Sequence, residues 1–178
     1  MALGGLLDVA LNSAGEQPLV IGREAEIVAE GGYQGSDVGP AVLDSSLFGA
    51  GGISRLRVQG TGQTLFNQDL SLSEFGSVDV SSSQIVVASD ISIPGGTVNL
   101  GTDDNLGKVE KPDALIRVAR DARIDVSGNW TNDSRLLNGE FPTAPVLVDG
   151  GEISLSAAGA LVVEEGSLLD VSSGAHLD

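Results

Sequence analysis

Leu70-Ser71-Leu72, Val78-Asp79-Val80, Ile85-Val86-Val87, Ile91-Ser92-Ile93 and Val98-Asn99-Leu100 follow one another as short triplets with apolar first and last residues, centred on 71, 79, 86, 92 and 99. Alternation over so few residues marks short strands with one buried face, and the Ser, Gly and Asp between them are turn formers. Three steps of this spacing make about 21 residues, and the chain repeats itself at that distance: Leu70-Ser71-Leu72 returns as Ile91-Ser92-Ile93, and Val78-Asp79-Val80 as Val98-Asn99-Leu100.

Two longer phrases recur around this stretch. One opens on paired glycines: Gly51-Gly52-Ile53-Ser54-Arg55-Leu56, Gly95-Gly96-Thr97-Val98-Asn99-Leu100 and Gly150-Gly151-Glu152-Ile153-Ser154-Leu155. The other closes a unit: Ser77-Val78-Asp79-Val80-Ser81, Arg123-Ile124-Asp125-Val126-Ser127 and Leu168-Leu169-Asp170-Val171-Ser172. A coil of about 20 residues with three short strands cannot bury its apolar face alone, but coils stacked in register build one continuous core. The expected fold is therefore all-β: a right-handed parallel β-helix, a solenoid of three-strand coils, forming one domain over residues 1–178. Its least regular part is 1–50, and loop excursions are expected near 31–51, 102–112 and 129–145. At about 4.8 Å per coil, roughly seven or eight coils would give a rod of about 35 to 40 Å.

One segment has a competing reading. Leu115, Val118, Ala119, Ala122 and Val126 have helical spacing. Strands at Leu115-Ile116-Arg117-Val118 and Arg123-Ile124-Asp125-Val126 are preferred, because the second copies the closing phrase.

Composition supports thin layers. The 178 residues include 25 Gly, no Cys and only 3% aromatics, so the core must come from many aliphatic side chains. A net charge of −16 opposes the counterion exchange on which nucleic-acid binding depends, so no nucleic-acid partner is expected. An anionic membrane surface is disfavoured for the same reason, and no apolar run approaches the roughly 18 residues of a membrane span. Met1 to Asp8 lacks the basic start and the longer apolar stretch of a secretory signal. Absence of Cys removes disulfides, thiolate catalysis and Cys-based zinc sites.

In a chain this regular, chemistry should appear as unrepeated polar groups, and few qualify. Asp79, Asp125 and Asp170 could form a carboxylate row, but their apolar neighbours point inward, which leaves the carboxylates outside at solvated corners. Asp103-Asp104-Asn105 lacks the rest of a Ca²⁺ loop and reads as a polar turn. Glu164-Glu165, before Gly166, reads as a solvated corner, and Gly60-Thr61-Gly62 as a turn without the context of a dinucleotide loop. His176 is the sole imidazole, with no nucleophile elbow in the chain. Asn129-Trp130-Thr131 and Asn132-Asp133-Ser134 fit the glycosylation acceptor pattern, which is common by chance. Arg117, Arg120 and Arg123 are the densest basic patch and the best hook for an enzyme acting on anionic polysaccharide, although Glu110, Asp113, Asp121, Asp125 and Asp133 lie near enough to pair with them. Trp130 either pins its loop to the shaft or anchors a ligand. No catalytic, cofactor-binding or metal-ligating residue is assigned.

The run Ala122-Arg123-Ile124-Asp125-Val126-Ser127-Gly128-Asn129-Trp130-Thr131-Asn132-Asp133, with Asp149 to Ala157 and Gly166 to Ser172, resembles the shaft of the filamentous haemagglutinin family. The resemblance covers residues 51–178. It implies a segment of a large bacterial exoprotein, exported through an outer-membrane partner by two-partner secretion and displayed at or released from the cell surface. The implied role is adhesion to a host or neighbouring-cell receptor or glycan, without enzymatic activity; the alternative is a carbohydrate-active β-helix enzyme.

Overall fold

The computed structural model describes residues 4–11, 17–22, 40–50, 52–60, 62–102, 113–129, 131–132, 148–174 and 176–177. The expected excursions at 102–112 and 129–145 fall almost entirely outside these residues, and so does Trp130.

The chain is nearly all β, and its sheets are parallel throughout. The first sheet runs β1 (Gly5–Leu11), β4 (Ile53–Gly60), β7 (Ser77–Ser81), β10 (Thr97–Gly101) and β14 (Glu152–Ser156). The second runs β3 (Ala41–Leu43), β2 (Leu19–Ile21), β5 (Gln63–Phe66), β8 (Gln84–Val87), β11 (Leu115–Val118) and β15 (Ala160–Val163). The third runs β6 (Leu70–Ser71), β9 (Ile91–Ser92), β12 (Arg123–Asp125) and β16 (Leu168–Asp170), and β13 (Thr131–Asn132) pairs with β17 (His176–Leu177). From β4 onward the chain visits the three sheets in turn, so that β7, β8 and β9 make one rung and β10, β11 and β12 the next. This arrangement is consistent with the expected parallel β-helix.

Both readings made at the triplets hold at the level of register. Val78 lies opposite Val98, Asp79 opposite Asn99, Leu70 opposite Ile91 and Ser71 opposite Ser92. The segment with helical spacing forms the strands β11 and β12. Within 31–51, described from residue 40, the chain is not a plain excursion: β3 adds to the second sheet, and a short helix α1 (Ser46–Ala50) follows. Asp44 accepts the Ser46 N–H at 2.8 Å at the start of α1, and Phe48 enters the core.

The rungs are unevenly spaced along the chain. Among the described residues the three sheets have five, six and four strands, and 20 residues separate the register partners Val78 and Val98, whereas 55 separate Val98 and Ile153.

The inner faces of all three sheets meet in one aliphatic core. Leu56, Val78 and Val98 form one column, and Ile85, Ile116, Ile91 and Ile124 contribute others. Each is fully buried, which contributes roughly 1.5–3 kcal/mol per side chain. Thr64 breaks the aliphatic run, but its hydroxyl meets that of Ser82 at 2.5 Å, so no hydroxyl is stranded.

The paired-glycine phrase has a packing cause. Thr97 donates its N–H to the Gly76 carbonyl and Glu152 to the Gly96 carbonyl, both at 3.0 Å. That carbonyl of Gly96 occupies the space a Cβ on Gly151 would need. In the first copy the phrase is offset by two residues: Leu56 faces Val78 and Val98, not Leu100, and Ser54 stands beside Gly76. A shift of two preserves which side chains face inward, so composition alone cannot detect it.

Candidate functional site

Because alternation sends every second side chain outward, equivalent outer positions of neighbouring strands line up about 4.8 Å apart. On the first sheet, Asp8, Arg57, Asp79, Asn99 and Ser154 form one such column, and Ala10, Gln59, Ser81, Gly101 and Ser156 the next. Gly101 contributes no side chain, so the two columns leave a shallow groove of about 340 Å³. Its polar groups are tied to one another: Asn99 donates its amide N–H to Asp79 of the neighbouring strand at 2.7 Å, and Ser77 donates its hydroxyl to the other Asp79 oxygen within the same strand at 3.2 Å. Arg57 approaches Asp8 at 3.9 Å.

The arginines at 117, 120 and 123 are brought to the second and third sheets and the turn between them, where each meets a carboxylate. Arg117 Nε donates to Glu164 at 2.7 Å, and Glu164 also accepts the Arg120 backbone N–H at 2.9 Å. The Arg120 side chain lies 3.8 Å from Glu165. One nitrogen of Arg123 reaches both Asp125 and Asp170 at 2.8 Å. Proximity in sequence suggested pairing with nearby acids, but among the described residues only Asp125 fits that expectation. Glu164 and Asp170 come from the following rung, 47 residues along the chain from Arg117 and Arg123.

Two earlier readings change in consequence. Glu164 is not a simple solvated corner: the hydrogen bond from Arg117, the Arg120 N–H and both guanidinium charges hold its carboxyl below the usual range against a smaller opposing effect of desolvation. Nor are Asp79, Asp125 and Asp170 three equivalent solvated corners, since Asp125 and Asp170 share Arg123. Asp125 and Asp170 are register partners on the third sheet, whereas Asp79 belongs to the first. Asp170 is held below its ordinary value chiefly by the Ser172 hydroxyl and N–H, with Arg123 adding a smaller effect.

These directions bear on chemistry. A carboxyl that is to serve as a general acid near neutral pH must be pushed up. Both shifted carboxyls here are pushed down, and Asp79 is occupied by two donors. Among the described residues, no group of three or more His, Asp or Glu side chains could hold a metal ion. No helix among them is long and apolar enough to cross a membrane.

Of the other residues singled out, Asp103, Asp104, Asn105, Glu110, Thr61, Trp130, Asp133 and Ser134 lie outside the described residues. Asn129 donates its amide to Glu74, at an earlier corner. His176 pairs through its backbone with Thr131. Thr102, expected to begin an excursion, is instead buried and accepts the Ala158 N–H at 2.7 Å. The groove on the first sheet was not anticipated, although the Asp79–Asn99 correspondence already placed two of its residues side by side; the offset first copy concealed Arg57.

Compared with protein-family models, curated proteins and solved structures, the chain matches none.

Proposed function

We propose that the three sheets are the faces of a right-handed parallel β-helix, and that this helix is a structural shaft segment of a large secreted bacterial surface adhesin of the filamentous haemagglutinin kind. Its mechanism is presentation: a stiff stack holds loops, chiefly 129–145, towards a receptor or glycan on a host or neighbouring cell. The parent chain would reach the surface through an outer-membrane secretion partner.

The observation that carries this reading is the use made of the outer polar groups. Asp79 with Asn99, Gln63 with Gln84, Arg117 with Glu164 and Arg123 with Asp170 all join one rung to the next. Side chains committed to neighbours along a stack stiffen it, and the depressed carboxyls stay ionised near neutral pH and so do not serve there as general acids. Absence of Cys also suits a chain that crosses the periplasm unfolded, where a premature disulfide would obstruct it.

Attachment tests the role. Surfaces coated with the chain are expected to retain cells, and replacing residues 130–147 with a Gly-Ser linker is expected to abolish retention while the thermal melt stays cooperative. Unsaturated products released from polygalacturonate or alginate, lost on changing Arg117 and Arg123, would transfer the assignment to a polysaccharide lyase. A crystal structure with antiparallel hairpins or left-handed winding would overturn the architecture.

A further inference from the structure

The outer column Ala10, Gln59, Ser81, Gly101 and Ser156 has one member without a side chain, and the fold does not ask for it. At the paired-glycine corners the fold does ask: a Cβ on Gly76, Gly96 or Gly151 would strike the backbone of a neighbouring rung. Gly101 is different. Among the described residues a Cβ there would meet nothing closer than the Val80 carbonyl at 3.9 Å, an ordinary contact. Its φ is not left-handed, and the register reaches it unbroken from Ser81 on one side and Ser156 on the other. A strand glycine that serves no bend, bulge or backbone contact weakens its strand and leaves one use, the close approach of a ligand.

What Gly101 opens is the groove of about 340 Å³, at the lower end of the roughly 300–1,000 Å³ of small-molecule clefts. It crosses β4, β7, β10 and β14, about 14 Å at the strand spacing, so an elongated ligand would lie along the stack. Its charges balance, since Arg57 is the one cation and Asp79 the one carboxylate among the lining residues. Asp79 accepts two hydrogen bonds of the roughly four a carboxylate can take, and the side-chain carbonyl of Asn99 is a further acceptor. Gln59 and Ser154 are exposed and add an amide and a hydroxyl.

Each class of ligand meets a different fate here. An anion faces Asp79 and a chain of charge −16. A cation finds Asp79 already occupied by two donors, with Arg57 beside it in register. An apolar molecule strands the amides and hydroxyls that it covers. A neutral molecule rich in hydroxyls fits, because each hydroxyl both donates and accepts and can serve Asp79 and Arg57 alike. Asp79 and Asn99 already hold each other in place, which lowers the ordering cost of binding.

We propose that this groove binds a neutral oligosaccharide, its chain laid along the stack and one ring seated over Gly101. Arg57, Asp79, Asn99 and Ser154 take hydroxyls along one side, and Gln59 along the other. The site uses none of residues 130–147 and does not rest on the adhesin reading; cell retention and sugar binding can each fail without the other.

The test is titration of the isotope-labelled chain with cellohexaose, maltohexaose and xylohexaose, followed through its amide NMR signals. At least one sugar is expected to shift the backbone signals of Gly101 and Ser81 and the side-chain amides of Gln59 and Asn99 together, with millimolar affinity. Hexagalacturonate, with a carboxylate on every ring, is expected to leave them in place. Gly101→Val fills the groove with a strand former where a Cβ has room. It should keep or raise the melting temperature and weaken binding by roughly tenfold or more. Gln59→Ala, at an exposed position, should weaken binding with the melt unchanged. Three neutral sugars that all leave these signals unmoved overturn the proposal. So do shifts that persist undiminished in both Gly101→Val and Gln59→Ala, or tighter binding of hexagalacturonate.

Discussion

The rung formed by β10, β11 and β12 and the rung formed by β14, β15 and β16 are nearly interchangeable as sequence. Both begin after a glycine pair, and both include an Ile-Asp-Val or Leu-Asp-Val phrase. Their burial is nevertheless opposite. Val98, Ile116 and Ile124 are fully buried, while their register partners Ile153, Leu161 and Leu169 are partly or substantially exposed. In a stack, burial depends on having a rung on each side. The alternating pattern states which way a side chain points, and its neighbours decide how much water it loses.

The sharpest way to break this comparison is to truncate equivalent residues in the two rungs. Ile116→Ala is expected to cost about 2–5 kcal/mol and Leu161→Ala under about 1 kcal/mol, measured by urea denaturation. Equal costs would mean that the last rung is covered in solution. Gly151→Ala tests the joint between the rungs. A methyl group there collides with the Gly96 carbonyl, and a loss of about 1–3 kcal/mol is expected; an unchanged melt would show that the last rung is not seated as described.

Phe75 sharpens the contrast at a corner. It adopts φ 60° where the next rung has Gly95 at φ 62°. Left-handed backbone costs a residue with a side chain about 1–2 kcal/mol, and glycine gives part of that back through its freedom in the unfolded chain. Phe75→Gly should therefore raise the melting temperature slightly, and a lowered one would mean that the ring contributes more than the backbone costs.

The smallest effect concerns the clasp between Arg117 and Glu164. A carboxyl whose pKa is depressed by folding stabilises the native state above its unfolded value, near 4.3 for Glu, and loses that contribution as the pH falls through the depressed folded value. Glu164→Gln should thus lower the melting temperature modestly at pH 7, and the difference should fade in acid. A difference that grew as the pH fell would contradict the direction of the shift.

Much of the fold was legible because strand alternation and turn chemistry are local. The pairs Leu70 with Ile91 and Val78 with Val98 could be read by superposing the chain on itself at 20 to 21 residues. The strand at 123–125 could be read because it copies a phrase, which decided 115–118 with it against a helical spacing. The ion pairs were less accessible. Arg123 meets Asp170 because one turn of the stack brings them together, not because of any sequence signal between them, whereas its pairing with the nearer Asp125 could be read from proximity.

The sequence by itself determined that the chain forms short strands, which side chains point inward, and where corners must be narrow, because backbone alternation and the missing Cβ of glycine act within a few residues. Only the tertiary structure decided which of several similar triplets became neighbours. Val78-Asp79-Val80 and Ile124-Asp125-Val126 look alike yet lie on different sheets. Short strands of equal pattern are locally degenerate, and what separates them is the closing of a common core over rungs of unequal length.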